Sequence, residues 1–163
     1  MNDLYYLRVA TLLAREKSQD QRTQNAAVLV PAGYDGRVYL GAANGYLVRS
    51  WASGERLVPP AKYEYIEHAE RRVIYDAAKN GYQTAGATLY ALWFACPDCA
   101  RGIIASGITT VVGTVQARQS TPPRWEEAVK TGESMLRDAG VNMRWVAEKV
   151  GQTILFDGKE LFL

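Results

Sequence analysis

Apolar positions recur at helical spacing over residues 3–17, where Leu4, Leu7, Thr11 and Leu12 share one side and Asn2 or Asp3 can cap the first turn. The polar run Ser18-Gln19-Asp20-Gln21-Arg22 ends that helix. Residues 26–30 form a short valine-containing run suited to a buried strand. A turn over 31–36 and a partner strand over 37–43 follow. A helix is predicted for 68–80, stopped by Gly81. Further on, the pattern gives a strand at 88–94 and a short helix from Cys96 to Ser106 with Pro97 in its first turn and Gly107 as its stop. A strand at 109–115, a helix at 125–139 ended by Gly140, and a strand at 141–147 come next. Residues 153–163 alternate around Asp157-Gly158 as a small hairpin. Strands and helices that alternate after an opening β-hairpin predict an α/β fold, a three-layer α/β/α sandwich around a mixed five-stranded sheet.

The pattern breaks between 44 and 66. Gly45, Gly54, Pro59 and Pro60 punctuate that stretch, and Tyr46, Trp51, Tyr63 and Tyr65 supply aromatics. A loop of this length is either a lid over a site or a surface meander whose aromatics pack on the core. The chain has 163 residues, which fits one domain over 1–163, and its 48% hydrophobic and 22% charged content is that of an ordinary globular protein. Such a chain folds without disulfides or a structural metal, so a metal here would serve chemistry.

Charge narrows the partners. Nineteen Lys and Arg against 17 Asp and Glu leave +2, and the basic residues, including Arg8, Arg15, Arg37, Arg71 and Arg124, are scattered. Nucleic-acid binders draw most of their affinity from a basic face, so this balance points away from nucleic acid and toward a small anionic ligand held by one or two arginines. No basic leader precedes an apolar stretch, and no apolar run approaches the ~20 residues of a spanning helix, so the expected setting is the cytoplasm with no membrane partner. In that compartment a close Cys pair reads as metal-binding or catalytic.

The chemistry concentrates in His68-Ala69-Glu70 and Cys96-Pro97-Asp98-Cys99. H-x-E followed by P-C-x-x-C is the signature of zinc nucleobase deaminases, with Ala95 here in the place of the Pro. Zinc accepts one imidazole and two thiolates and keeps its fourth position for water in a catalytic site. Both Cys fall at a predicted helix start, where the dipole favours thiolate. Glu70 is not needed as a ligand and can act as the acid/base, taking a proton from the activated water and passing it to the ring and the leaving amine. His68 is the only histidine, and Cys96 and Cys99 are the only cysteines. A redox pair needs no upstream His-Ala-Glu, and with no third Cys or second His only a carboxylate could complete a closed structural zinc site.

These motifs resemble the cytidine and deoxycytidylate deaminase family over about residues 5–147. The resemblance rests on Ser18-Gln19-Asp20 leading into Thr23-Gln24-Asn25-Ala26-Ala27-Val28, on Lys62-Tyr63-Glu64-Tyr65-Ile66-Glu67-His68-Ala69-Glu70, and on the stretch from Gly86 through Cys99 to Ile108. The Ser-x-Asp and Lys-Tyr-x-Tyr segments are similar to the deoxycytidylate (dCMP) branch. The resemblance implies a cytidine deaminase-like fold, one zinc ion on His68, Cys96 and Cys99, Glu70 as acid/base, and hydrolysis of dCMP to dUMP and ammonia. It further implies a sugar contact from Asn44, base-pocket backbone from Ala69, pocket walls from Tyr65, Trp93 and Phe94, and a homo-oligomer.

The chain departs from the family in carrying Ala42-Ala43-Asn44-Gly45 where members with deoxynucleoside triphosphate control have Gly-Tyr-Asn-Gly. It also has Ala95 before the first Cys and Arg71-Arg72 after His-Ala-Glu. For a substrate phosphate, Arg22, Arg49, Arg56 and Lys62 are candidates, and Arg22 beside the first strand is the choice. Other readings of the same motif are a deaminase of another or modified nucleotide, a tRNA adenosine deaminase-like enzyme, and a silent nucleotide-binding zinc protein.

Overall fold

In the computed structural model, which describes residues 2–34, 36 and 38–163, the Asn2 side chain accepts from the Tyr5 N–H at 3.1 Å and starts helix α1 (Asp3–Lys17). Strand β1 (Ala26–Val30) then pairs antiparallel with β2 (Leu40–Ala43). The partner strand is therefore shorter than predicted. Asp35 and Arg37, which belong to the predicted turn and strand, lie outside the described residues.

The long predicted loop carries structure of its own. Strand β3 (Gly45–Tyr46) pairs with β4 (Ile66–Glu67) and closes the loop at its base. Between them lie two 3-10 turns, Arg49–Trp51 and Gly54–Leu57, and the short helix α2 (Lys62–Tyr65). Its aromatics pack on one another: Trp51 meets the Tyr65 ring edge-on at 5.6 Å, and the Arg56 guanidinium lies over Tyr65 at 4.5 Å.

Helix α3 (Ala69–Asn80) ends at Gly81 in the left-handed conformation. Strand β5 (Thr88–Ala91) leads to helix α4 (Pro97–Ala105) and strand β6 (Thr110–Thr114). Helices α5 (Val115–Gln119) and α6 (Pro123–Asp138), strand β7 (Asn142–Val146) and the hairpin of β8 (Thr153–Phe156) and β9 (Lys159–Phe162) complete the chain. Strand β5 stops three residues before the predicted end because side chains take over its carbonyls. The Thr114 hydroxyl donates to the Leu92 carbonyl (3.1 Å), and the Asn25 amide donates to that of Trp93 (3.0 Å). Helix α5 was not predicted; it is too short to show a period, and the Thr114 hydroxyl caps it by accepting from the Ala117 N–H (3.2 Å).

The main sheet has the order β2-β1-β5-β6-β7, antiparallel at β1 and parallel from β5 to β7, so it is mixed and five-stranded as expected. Every residue of β1 is buried because both faces are covered. Ala27 and Leu29 pack with Val73 and Ala77 of α3, Ile103 of α4 and Leu136 of α6. Ala26, Val28 and Val30 pack with Leu7 and Ala14 of α1, Ala117 of α5 and Ile154 of β8. No helix among the described residues is long and apolar enough to cross a membrane.

Helix α6 approaches the segment before α4 closely at Gly132. A Cβ on Gly132 would drive into the Ala95 carbonyl oxygen and come within 3.3 Å of the Cys96 carbonyl carbon. Gly132→Ala is therefore expected to destabilise the fold by about 1–3 kcal/mol, read from the urea midpoint. Gly102→Ala, whose Cβ would meet only the Arg71 side chain at 3.4 Å and Ile74 beyond it, should be neutral or stabilising.

Candidate active site

Helices α3 and α4 lie side by side on one face of the sheet, and both begin at the site. His68 is the N-cap residue of α3, Cys96 is the N-cap residue of α4, and Cys99 lies in the first turn of α4. Both sulfurs stand 3.4 Å from His68 Nδ1, and the three donor atoms lie within 4.8 Å of one another. Tetrahedral zinc with Zn–S of about 2.3 Å and Zn–N of about 2.0 Å places sulfur and nitrogen about 3.5 Å apart. The donor set therefore fits zinc in chemistry and in spacing. Among the described residues no carboxylate joins this cluster, which would leave a fourth position for water or substrate.

Electrostatics in the metal-free chain favour the same use. The Cys99 thiol donates to Cys96, and with His68 it holds Cys96 down to about 4, while the same hydrogen bond pushes Cys99 well above its ordinary value. Burial works against charge on His68, but the hydrogen bond to Cys96 and the charge of Glu70 outweigh it and lift His68 to about 9. Protons on Cys99 and His68 leave as a metal enters. Arg71 sets a positive charge near Cys99, fixed by Glu67 at 2.5 Å and by Asp98 at 3.4 Å.

Glu70 is 2% exposed, and its Oε2 has no hydrogen-bond partner among the described residues. Burial pushes its carboxyl up to about 7, with His68 pulling the other way. A carboxyl near neutrality can both take and give a proton, as an acid/base requires.

His68, Glu70 and Cys96 line a cleft together with Asn44, Arg22, Trp93 and Phe94. Asn44 is largely committed to the fold. Its Oδ1 accepts from the Ser18 hydroxyl (2.6 Å) and the Asn25 N–H (3.0 Å), and its Nδ2 donates to the Thr23 carbonyl (2.8 Å), leaving one N–H for a ligand. Phe94 stacks on Trp145 at 4.4 Å, and Trp93 donates its indole N–H to the Thr121 hydroxyl at 3.0 Å. Tyr65 and Ala69 are not among the lining residues. Tyr65 packs in the loop, and Ala69 is fully buried in the core.

Of the phosphate candidates, Arg22 lines the cleft and Arg49 and Arg56 do not. Lys62 also lines it but is spent on Asp20, with Nζ 2.9 and 3.0 Å from the two carboxylate oxygens. The cleft also takes in Asn25, Ile66, Tyr63, Arg124, Trp125 and Asp157, which sequence reading did not single out as site residues. The Asn25 Oδ1 is buried and unpartnered among the described residues.

A family model described as the cytidine and deoxycytidylate deaminase zinc-binding region matches residues 1–115. The chain is 37% identical over 82 residues to the deoxycytidylate deaminase of Enterobacteria phage T4, a match covering 50% of this chain and 38% of that enzyme. It is 30% identical over 129 residues to an uncharacterized deaminase of Aliivibrio fischeri, covering 79% and 83%. The chain thus spans less than two fifths of the phage T4 relative. In fold it resembles the dCMP deaminase of cyanophage S-TIM5, solved alone and in complex with dCMP and dUMP. The TM-score is 0.63 at 20% identity in the apo form, covering 88% of this chain and 96% of that one.

Removal of a ligand tests the metal centre directly. Purified protein is expected to carry one zinc per chain by elemental analysis, and Cys99→Ala to lose it while retaining its far-UV circular dichroism, because the core does not depend on the metal.

Proposed function

The chain belongs to the cytidine and deoxycytidylate deaminase family, and from that premise we propose that it is a hydrolytic deaminase of a free nucleotide, with dCMP as substrate and dUMP and ammonia as products. The observation that carries this reading is Glu70, a buried carboxyl with an oxygen unpartnered among the described residues, in a cleft lined also by His68 and Cys96 of the three zinc-fitting donors.

His68, Cys96 and Cys99 would hold a zinc ion, which when bound would supply Lewis acidity and lower the pKa of a water to about 7. Glu70 takes one proton from the attacking water and delivers it to ring N3, which makes C4 open to attack by the oxygen. The second proton passes through Glu70 to the exocyclic nitrogen. The C4–N bond then breaks, so that one water is consumed and one ammonia leaves. A single carboxyl serves both transfers because burial raises its pKa toward neutrality, which suits it to taking and giving a proton.

The other cleft residues orient the nucleotide. Phe94, fixed against Trp145, and the half-buried Trp93 offer apolar walls to the base. The free N–H of Asn44 faces the sugar, and Arg22 offers a cation to the phosphate. The dCMP complex of the S-TIM5 enzyme, a protein of the same fold, supports this assignment of substrate class.

Ammonia release is measured with dCMP, CMP, dCTP, deoxycytidine, 5-methyl-dCMP and dAMP. Turnover should be fastest with dCMP, and Glu70→Gln should lower kcat by about 10²–10⁴-fold with zinc content unchanged. Preference for another member would move the substrate and keep the mechanism. Unchanged turnover in the Glu70→Gln protein would sink the proposed role of the carboxyl.

A further inference from the structure

The solvent end of the cleft is built from three charged side chains that come from distant parts of the chain. Arg124, in the first turn of α6, forks onto Asp157 at the tip of the C-terminal hairpin. Its Nη1 stands 2.9 Å from Oδ2, and its Nη2 bonds Oδ1. Arg22, just before β1, brings Nη2 to 3.6 Å from the same Oδ1. The guanidiniums are 52% and 60% exposed, whereas Glu70 in the same cleft is 2% exposed, so the cluster marks the mouth and the carboxyl the floor.

The tip is held in place by backbone. Gly158 N–H donates to the Arg22 carbonyl at 2.7 Å, and Gln24 N–H donates to that of Leu155 at 2.8 Å. Two guanidiniums against one carboxylate leave a net charge of +1 at the mouth. The other ionic pair of the cleft wall, Lys62 with Asp20, is buried and self-neutralised. Asp157 therefore sits on an arginine fork whose geometry suits any planar or tetrahedral oxyanion.

We propose that Arg124 and Arg22 form a clamp for the phosphate monoester of the substrate, with the Asp157 carboxylate as the internal anion that occupies the fork until the phosphate displaces it. The proposal rests on the reading of the site as a nucleotide deaminase. A phosphate dianion offers three oxygens and nearly twice the charge of a carboxylate, so it can bridge both guanidiniums at once. Arg124 is then the main specificity-determining residue for a phosphorylated over an unphosphorylated substrate, and Asp157 sets how tightly that phosphate is held.

The test uses the zinc-loaded full chain and the variants Arg124→Gln and Asp157→Asn, checked for unchanged zinc content and thermal midpoint. Arg124→Gln should lower the ratio of kcat/KM for dCMP to that for deoxycytidine by about 10- to 100-fold, through KM. Asp157→Asn should raise the same ratio and tighten binding of inorganic phosphate in a calorimetric titration. Equal losses on both substrates in Arg124→Gln, or weaker phosphate binding in Asp157→Asn, would overturn the clamp. If the wild type turns over neither compound, the reading of dCMP as substrate falls. The phosphate titration then decides the clamp alone: weakening by Arg124→Gln upholds it, and indifference to that change refutes it.

Discussion

Two helices that start at the same end of one sheet face, α3 and α4, set everything else at the site. Their packing brings His68 and Cys96, each the last non-helical residue before its helix, to 3.4 Å across 28 positions of sequence. The helix geometry then supplies the remaining groups without further adjustment. Cys99 is one turn on from Cys96, and Glu70 lies in the first turn of α3. The peptide dipoles at both N-termini favour the negative charge that the thiolates carry. Gly132 belongs to the same constraint, because α6 can back onto the Ala95–Cys96 linkage only where no Cβ intervenes.

A second set of polar contacts fastens the cleft wall to this centre. Asp20 accepts from the N–H groups of Arg22 and Thr23 and from Lys62, so the segment before β1 and the start of α2 are tied by one buried carboxylate. Breaking a buried pair of this kind typically costs about 3–5 kcal/mol, since the remaining charge is left without a partner. Asn44 does the same for residues 18–25 through its three hydrogen bonds. The Ser-x-Asp and Lys-Tyr-x-Tyr segments, far apart in the chain, are thus two halves of one wall. The cation that looked free in the sequence, Lys62, is spent on holding that wall.

Legibility in the sequence followed the range of the forces involved. Helix α1 and strand β1 were readable to the residue, since a capping Asn2, an apolar period and a valine-rich run are local signals. The end of β5 was not, because it is set by the Thr114 hydroxyl and the Asn25 amide taking the carbonyls that the ladder would otherwise use. The 44–66 stretch was undecidable between lid and meander. In the fold Trp51 and Tyr65 pack on each other while Asn44, Lys62, Tyr63 and Ile66 face the cleft.

By itself the sequence determined the constellation: His68, Glu70, Cys96 and Cys99 at spacings that helix geometry converts into a set of donors fit for zinc beside a carboxyl, the proposed acid/base, on an alternating α/β chain. Only the tertiary structure decided what surrounds them. Arg124, Trp125 and Asp157 reach the cleft because α6 packs against α4 and the C-terminal hairpin folds back onto the segment before β1, and no local period in the chain encodes that return. The physical reason is that ligand spacing and caps act within one or two helical turns. The pairing of charges and the walls of a cleft depend instead on contacts between residues more than a hundred positions apart, such as Arg22 and Asp157.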